Sequence, residues 1–506
     1  MPCTGSARSS TTSSWSSTGA QSASRGMPPW TCSERRVEST DRLGMETGEE
    51  ALEEASRDFG RVFMKRPRAV ARPHSVQDVA EIIRACSREG MPVTFRGGGH
   101  SQSGQSLSDG GVLVDMKGLD RIGDIEGDEI RVQGGVRWRD LVHRVYAEGF
   151  LPPALTTHLS VTVGGTLSTA GLSITSHRYG LQTDNVTELE VVTGDGRLVR
   201  CSPESHASLF DCVRCGLGQF GAIVEARMRL RRVLPRVRTY SLLYEDIRVL
   251  MRDLELISGT ERFQYIDGWC LPVARDPWQV LSGELFAYRV FAVYLGVEWD
   301  DVPPDQDELL DDLSFTRLSG FRDYSTLPFV TRAENSSMSY GRLGDEAQLG
   351  SGTGTGSGGI NWFDDWSQAH PCTEGVLPWG AFPSFITEMA DQLPAPVART
   401  ARIMLGPFLC EHFTSPLFMH PPGEMIMGYG ILIETPPEEL DEVLPVLAAE
   451  SRRIIAAGGK RYLSGWLDFD RPRWQDHYGD RWPRMVEWKR EFDPRGILNP
   501  GGMPLS

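Results

Sequence analysis

Residues 96–105, RGGGHSQSGQ, place three consecutive glycines before a histidine and follow it with hydroxyl and amide side chains. Glycines in a row let the backbone come close to another group, because no Cβ stands in the way. The main-chain amides of such a loop can cradle an anion such as a diphosphate, with Ser101 and Gln105 as further donors. His100 at the exit has two readings: a polar residue satisfied by its neighbours, or a neutral imidazole that attacks an electrophile held by the loop. Two more glycine clusters follow, SVTVGGTLSTAG (160–171) and GLGQFGA (216–222). One glycine loop alone is an ordinary turn. Three in order point to repeated close approach to one large ligand. The common nucleotide loops do not explain them, since no GK[ST] completes a P-loop and Gly97, Gly99 and Gly104 do not spell GxGxxG.

The elements that must position these loops are regular from about residue 66. PRAVARPHSVQDVAEIIRACSREGMPVTF reads as strand, helix and strand leading into RGGGH. Ser75 with Asp78 resembles a capping box, Val76, Val79, Ile82, Ile83 and Cys86 form an apolar helical face, and Gly90 ends the helix. A second module, 127–149, reads as strand, glycine turn and helix, so residues 66–149 hold two short α/β units. ELEVVTGDGRLVRC (188–201) is a hairpin turning at Gly194–Asp195–Gly196. From about 235 to 457 glycine motifs thin out and aromatics increase, with helix-like and strand-like runs of an α+β domain. Within it, GSGTGTGSGG (350–359) reads as a flexible surface loop. A last change of character comes near 458, and a helix around 479–492 is expected to stop before Asp493–Pro494.

At 506 residues the chain is long enough for two or three domains, and 40% hydrophobic with 24% charged residues is an ordinary globular composition. The formal charge of −16 and the lack of a dense Lys/Arg cluster argue against nucleic-acid binding. No apolar run reaches the ~18 residues of a membrane span, so no membrane partner is expected. Nine scattered cysteines are no disulfide framework. Cys212 and Cys215 form a lone CxxC without a second ligand pair, so no metal is expected. Reduced thiols fit a cytoplasmic protein. Residues 1–44 are Ser/Thr-rich without a signal-peptide core, and read as a disordered extension or the product of an upstream start.

In combination and order, RGGGHSQSGQ, SVTVGGTLSTAGLS, GLQTDN, ELEVVTGDGRLVRC, GLGQFGAIVEARMRL and FDPRGILNPGG resemble the flavoproteins related to vanillyl-alcohol oxidase, and most closely cytokinin dehydrogenase. The resemblance covers 66–232 and 460–502 well and the middle loosely. It implies an α+β fold: a PCMH-type FAD-binding domain of two α/β subdomains with an inserted substrate-binding cap. The FAD-binding part would be 45–234, completed by 458–506, and the cap 235–457. It further implies that His100 carries a covalent link to the flavin 8-methyl carbon. Phe95, Gly97, Gly98, Gly99, Ser101 and Gln105 would surround the diphosphate and ribityl chain. Thr162, Ser168, Leu172, Ala222 and Ile223 would line the cofactor, and Tyr462 and Asn499 would close it. Trp362, Trp366, His370 and Trp379 fall where the family's cap approaches its ligand, and serve equally well as core residues.

The chain departs from the pattern where cytokinin dehydrogenases keep a tryptophan and a proton-accepting aspartate. Those positions hold Leu155 and Thr157, and no carboxylate occurs between Gly149 and Asp184. His158 is the nearest replacement for the base, and a structural role suits it as well. It occupies the place of the second, cysteinyl flavin link of bicovalent relatives, so a single link is expected. The family's C-terminal PGQ is Pro500–Gly501–Gly502 here. The reading is a soluble FAD-dependent oxidoreductase that removes hydride from a small organic amine or alcohol and passes electrons to oxygen or another acceptor. Its rivals are an alcohol, carbohydrate or secondary-metabolite oxidase of the same fold, and a flavin-binding protein without catalysis.

Overall fold

The Ser75–Asp78 pair does start a helix. Asp78 N donates to Ser75 Oγ at 3.2 Å and Ser75 N donates back to Asp78 Oδ2 at 2.9 Å, two backbone amides at the helix start satisfied reciprocally. The helix Val76–Glu89 ends at Gly90, whose φ of 66° is the left-handed cap glycine favours. It buries Val79, Ile82, Ile83 and Cys86 against a parallel sheet. That sheet holds β1 (Ala69–Ala71), β2 (Val93–Arg96) and β3 (Val112–Asp115) in the order β1-β3-β2. The computed structural model describes residues 44–272, 289–332, 366–394, 397 and 401–505. The 1–43 extension, the 350–359 insert and Trp362 lie outside them.

The second module carries helix and strand as read, but its strands pair antiparallel. They are β4 (Ile122–Glu126), β5 (Glu129–Gln133), β6 (Phe150–Leu151), β7 (Val186–Val192), β8 (Leu198–Cys201), β9 (Ala222–Arg229) and β10 (Arg231–Arg232). Five form a sheet in the order β4-β5-β9-β7-β8, and β6 pairs with β10. The reason is local. Glu126 faces Glu129 across the two-residue turn Gly127–Asp128, and so short a link can join only antiparallel strands. The hairpin read at 188–201 is present, with Val192 opposite Leu198. The second glycine cluster is more ordered than a loop, because its glycines open the short helix Val163–Leu167. A Cβ on Gly164 would stand 3.0 Å from Gly134 O, so that helix lies directly on neighbouring backbone.

The third sheet is the largest. It comprises β11 (Arg236–Tyr244), β12 (Tyr265–Pro272), β13 (Arg289–Trp299), β14 (Arg317–Ser325), β15 (Thr373–Pro378), β16 (Arg402–Leu409), β17 (Met425–Leu432) and β18 (Lys460–Arg461). Their order is β14-β11-β13-β12-β16-β17-β15-β18. Helices Ile247–Ser258, Phe382–Gln392 and Leu440–Ala456 share one core with Leu405 and Tyr429, so they cover the face those residues point to. Side chains alternate along a strand, so Met404 and Gly430 belong to the opposite face. The register runs Trp269–Met404–Gly430–Glu374 across four strands on that face. The C-terminal segment returns to the first sheet: Val93 N donates to Ile497 O at 2.8 Å and Asn499 N to Val93 O at 2.7 Å. The helix Trp482–Phe492 stops immediately before Asp493–Pro494, as expected.

Candidate active site

A cavity of about 360 Å³ lies between the glycine loops and the uncovered face of the large sheet. All the residues singled out for the cofactor line it: Phe95, Gly97, Gly98, Gly99, His100, Ser101, Gln105, Thr162, Ser168, Leu172, Ala222, Ile223, Tyr462 and Asn499. His158 lines it too. Residues separated by up to 404 positions in sequence therefore share one wall, because β2, the helix Val163–Leu167, β9 and the C-terminal segment all end there.

Glycine is required at the loop for steric reasons. A Cβ on Gly97 would lie 2.0 Å from Thr162 Oγ1, and one on Gly98 would lie 3.1 Å from Ser160 O. Gly99 has a φ of 76°, and a Cβ there would meet the Arg96 guanidinium at 2.7 Å. Thr162 is almost fully buried, and its Oγ1 has no hydrogen-bond partner among the described residues. A buried hydroxyl without a partner costs free energy unless a ligand supplies one. The narrow glycine cradle, this hydroxyl and the cavity's length of wall fit an extended, phosphate-bearing cofactor.

The loop is held from behind by a segment that sequence reading left unassigned. Phe59 N donates to Gly99 O at 2.9 Å and Gly60 N to Ser101 O at 3.0 Å. The buried Asp58 carboxylate accepts from Ser101 Oγ at 2.7 Å and from Gly104 N at 2.9 Å. Burial pushes the Asp58 carboxyl up to about 6, and the hydrogen bonds from Ser101 and Gly104 only partly offset this. Ser101 also meets Ser106 Oγ at 2.6 Å, so its hydroxyl is turned to the back of the loop rather than offered to an anion. Gln105 takes Ser103 N at 2.8 Å and gives its amide to Leu463 O at 3.2 Å. It ties the loop to the C-terminal segment.

His100 Nε2 and His158 Nε2 stand 2.8 Å apart. Phe59 and Trp366 complete an aromatic surround, their ring centroids 5.1 and 5.2 Å from that of His100. His370 stacks on Phe59 at 3.9 Å. Trp379 goes elsewhere, packing against the core under the helices. Burial, with His100 and Arg139 nearby, holds the His158 imidazole well below its ordinary value. A ring that resists a proton is a poor base and a good neutral hydrogen-bond partner, and His100 Nε2 is the partner it faces.

On the far wall stand two carboxylates absent from the sequence reading. Asp267 on β12 is buried, with Arg332 Nη2 3.4 Å from its Oδ2. Glu374 on β15 accepts a short hydrogen bond from Ser464 Oγ, and burial raises its carboxyl. Trp269, Met404, Gly406, Phe408 and Gly428 fill the wall between them. Asp267 reaches the same cavity as Thr157, and Ile266 N donates to Ile174 O at 2.9 Å, fastening β12 to the loop after the second glycine cluster. One signal was available: an aspartate inside the otherwise apolar strand YIDGWC.

The FAD binding domain family matches residues 67–202, and the family described as cytokinin dehydrogenase 1, FAD and cytokinin binding, matches 365–503. An uncharacterized oxidoreductase of the fasciation locus of Rhodococcoides fascians is 32% identical over 89% of this chain and 96% of its own length. Cytokinin dehydrogenase 1 of Oryza sativa subsp. japonica is 31% identical over 90% of each chain. Among solved structures, 6-hydroxy-D-nicotine oxidase from Arthrobacter nicotinovorans superposes with a TM-score of 0.63 at 20% identity, over 90% of this chain and 94% of its own. That likeness concerns the fold. No helix among the described residues is long and apolar enough to cross a membrane.

Proposed function

Since the chain belongs to the FAD-dependent oxidoreductases that include the cytokinin dehydrogenases, we propose that it oxidises a small amine, or failing that an alcohol, at the C–H beside the heteroatom. One observation carries the reading: the cradle of Gly97, Gly98 and Thr162 and the carboxylate of Asp267 face one cavity. When bound, FAD supplies a hydride acceptor, and the protein supplies orientation and a place for the proton. Thr157 cannot take a proton near neutral pH. Asp267 reaches the cavity from the opposite wall and accepts the N–H or O–H proton of the substrate as the C–H bond is broken. Arg332 holds that carboxylate in place.

In this reading residues 45–234 and 458–506 form the FAD-binding part and 235–457 the cap. His100 carries the cofactor covalently through a ring nitrogen, and His158 fixes the orientation of its imidazole. Reoxidation falls to oxygen or another small acceptor. Anaerobic mixing with a panel of amines and alcohols tests the chemistry. Bleaching of the flavin absorbance by at least one amine is expected. A flavin that dithionite reduces but no candidate substrate does would favour a binding protein without catalysis. Acid precipitation tests the link: yellow colour should stay with the polypeptide and be lost from it in His100→Ala.

A further inference from the structure

The cap wall is asymmetric in charge. Asp267 has a cation, Arg332, at 3.4 Å. Glu374 has none: no lysine, arginine or histidine nitrogen among the described residues lies within 4.0 Å of its carboxylate, whose one hydrogen bond comes from Ser464 on Oε2. The nearest strong cation, Arg461, is already committed. Its guanidinium donates to Glu374's backbone O at 2.8 Å, to Trp466 O at 2.7 Å and to Ser451, with Asp468 4.0 Å away. Glu374 Oε1 takes no hydrogen bond among the described residues; it lies beside Gly430, where a Cβ would stand 3.8 Å from it, and Glu374 lines the cavity.

Register places the two carboxylates at opposite sides of one sheet face. Trp269, Met404, Gly430 and Glu374 lie in one row across β12, β16, β17 and β15. Asp267 lies two residues from Trp269 and so on the same face. Three strand-to-strand steps separate β12 from β15, about 14 Å of sheet. The ground between is apolar and cut down by Gly406, Gly428 and Gly430, with the Phe408 ring resting on Gly428. A wall with an acidic group at each side and an apolar strip between suits a molecule with a nitrogen at each end.

We propose that Glu374 binds a second, cationic nitrogen of the substrate, remote from the C–H that is oxidised. The enzyme is then selective for diamines, or for amines carrying a distant basic nitrogen, over monoamines of the same skeleton. This rests on the oxidoreductase reading above. It adds a specificity-determining residue to it: Arg461 acts on the Glu374 carboxylate only through space, and the substrate cation supplies the direct charged contact.

The test uses the FAD-loaded protein and two series of probes, n-alkylamines and α,ω-diaminoalkanes of four to ten carbons. Binding is read anaerobically from perturbation of the oxidised flavin spectrum immediately after mixing, in the Asp267→Asn background where flavin reduction is slow. The diamine is expected to bind about tenfold or more tighter than the monoamine at one chain length, the factor carried by a charge-assisted hydrogen bond. That preference should collapse in Glu374→Gln and move to a different chain length in Glu374→Asp, with FAD content checked in both. Equal affinity of the two series at every length overturns the proposal. So does an unchanged preference in Glu374→Gln, or a flavin that responds to no amine. Failure of the parent reading looks different, since it is a protein that binds these amines and yet is reduced by nothing but dithionite.

Discussion

On one wall of the cavity Gly97, Gly98 and Thr162 meet at backbone distance, whereas on the other Asp267, Trp269 and Glu374 reach in from strands more than a hundred residues apart. The glycine wall works by what is missing. Each glycine leaves out a Cβ, and the shape is set within a few residues of β2 and of the helix Val163–Leu167. The cap wall works by what is added. Its side chains acquire meaning only when β12, β16, β17 and β15 pair in that order. Cofactor recognition can therefore stay constant while substrate recognition changes one side chain at a time. In the function proposed above, Thr157 marks such a change, with Asp267 on the opposite wall as the carboxylate.

The largest expected effect is steric. Gly97→Ala puts a methyl 2.0 Å from Thr162 Oγ1, and overpacking costs typically about 1–3 kcal/mol. FAD affinity should fall roughly ten- to a hundredfold, read as the flavin-to-protein absorbance ratio after dialysis. Thr162→Ala in the same chain should recover part of it. Full FAD content in the single variant would show that the cradle accommodates a methyl group. On the other wall Asp267→Asn should leave FAD content alone and slow anaerobic flavin reduction by about 10²–10⁴-fold, the range for removal of a general base. An unchanged reduction rate would return the base to the glycine wall.

Asp58 offers a smaller effect, on stability. Its carboxyl titrates near 6 in the folded protein against an ordinary 3.8. A raised folded value means the group's stabilising contribution is complete below pH ~4 and is lost as pH rises through about 6. The contribution is on the order of 3 kcal/mol at most. The drop in Tm between pH 4.5 and pH 7.5 should shrink in Asp58→Asn, and an unaltered drop would assign that pH dependence to other groups. The smallest effect belongs to His158. Burial, with His100 and Arg139 nearby, holds its imidazole well below the ordinary histidine value, so it stays neutral through the neutral range. His158→Gln, which keeps a hydrogen-bonding group beside His100, should leave the pH profile of flavin reduction unmoved over pH 6–8. A lost inflection in that interval would make His158 a titrating participant after all.

Much of the glycine wall could be read from the chain, because its devices are short-range. Ser75, Asp78 and Gly90 delimit a helix, and that helix aims β2 at the loop. Asp58 and Phe59 escaped notice because a lone DFG carries no periodic pattern, and their partners lie forty residues on. Trp366 and His370 stand against Phe59, whereas Trp379, nine residues further, turns to the helical side. Trp366 and His370 precede β15 and Trp379 follows it, so the packing of the flanking segments separates them and their spacing does not.

The sequence by itself determined the cofactor wall, since missing Cβ atoms, helix caps and a histidine after three glycines are properties of consecutive residues. It also determined that no carboxylate stands between Gly149 and Asp184. In the function proposed above the carboxylate comes from the opposite wall, and only the tertiary structure brings it there. Asp267 and Glu374 share a face because of antiparallel register across four strands, and nothing in either residue's neighbourhood encodes that register. A side chain's direction is set by its own strand. Its partners are set by the order in which the strands assemble.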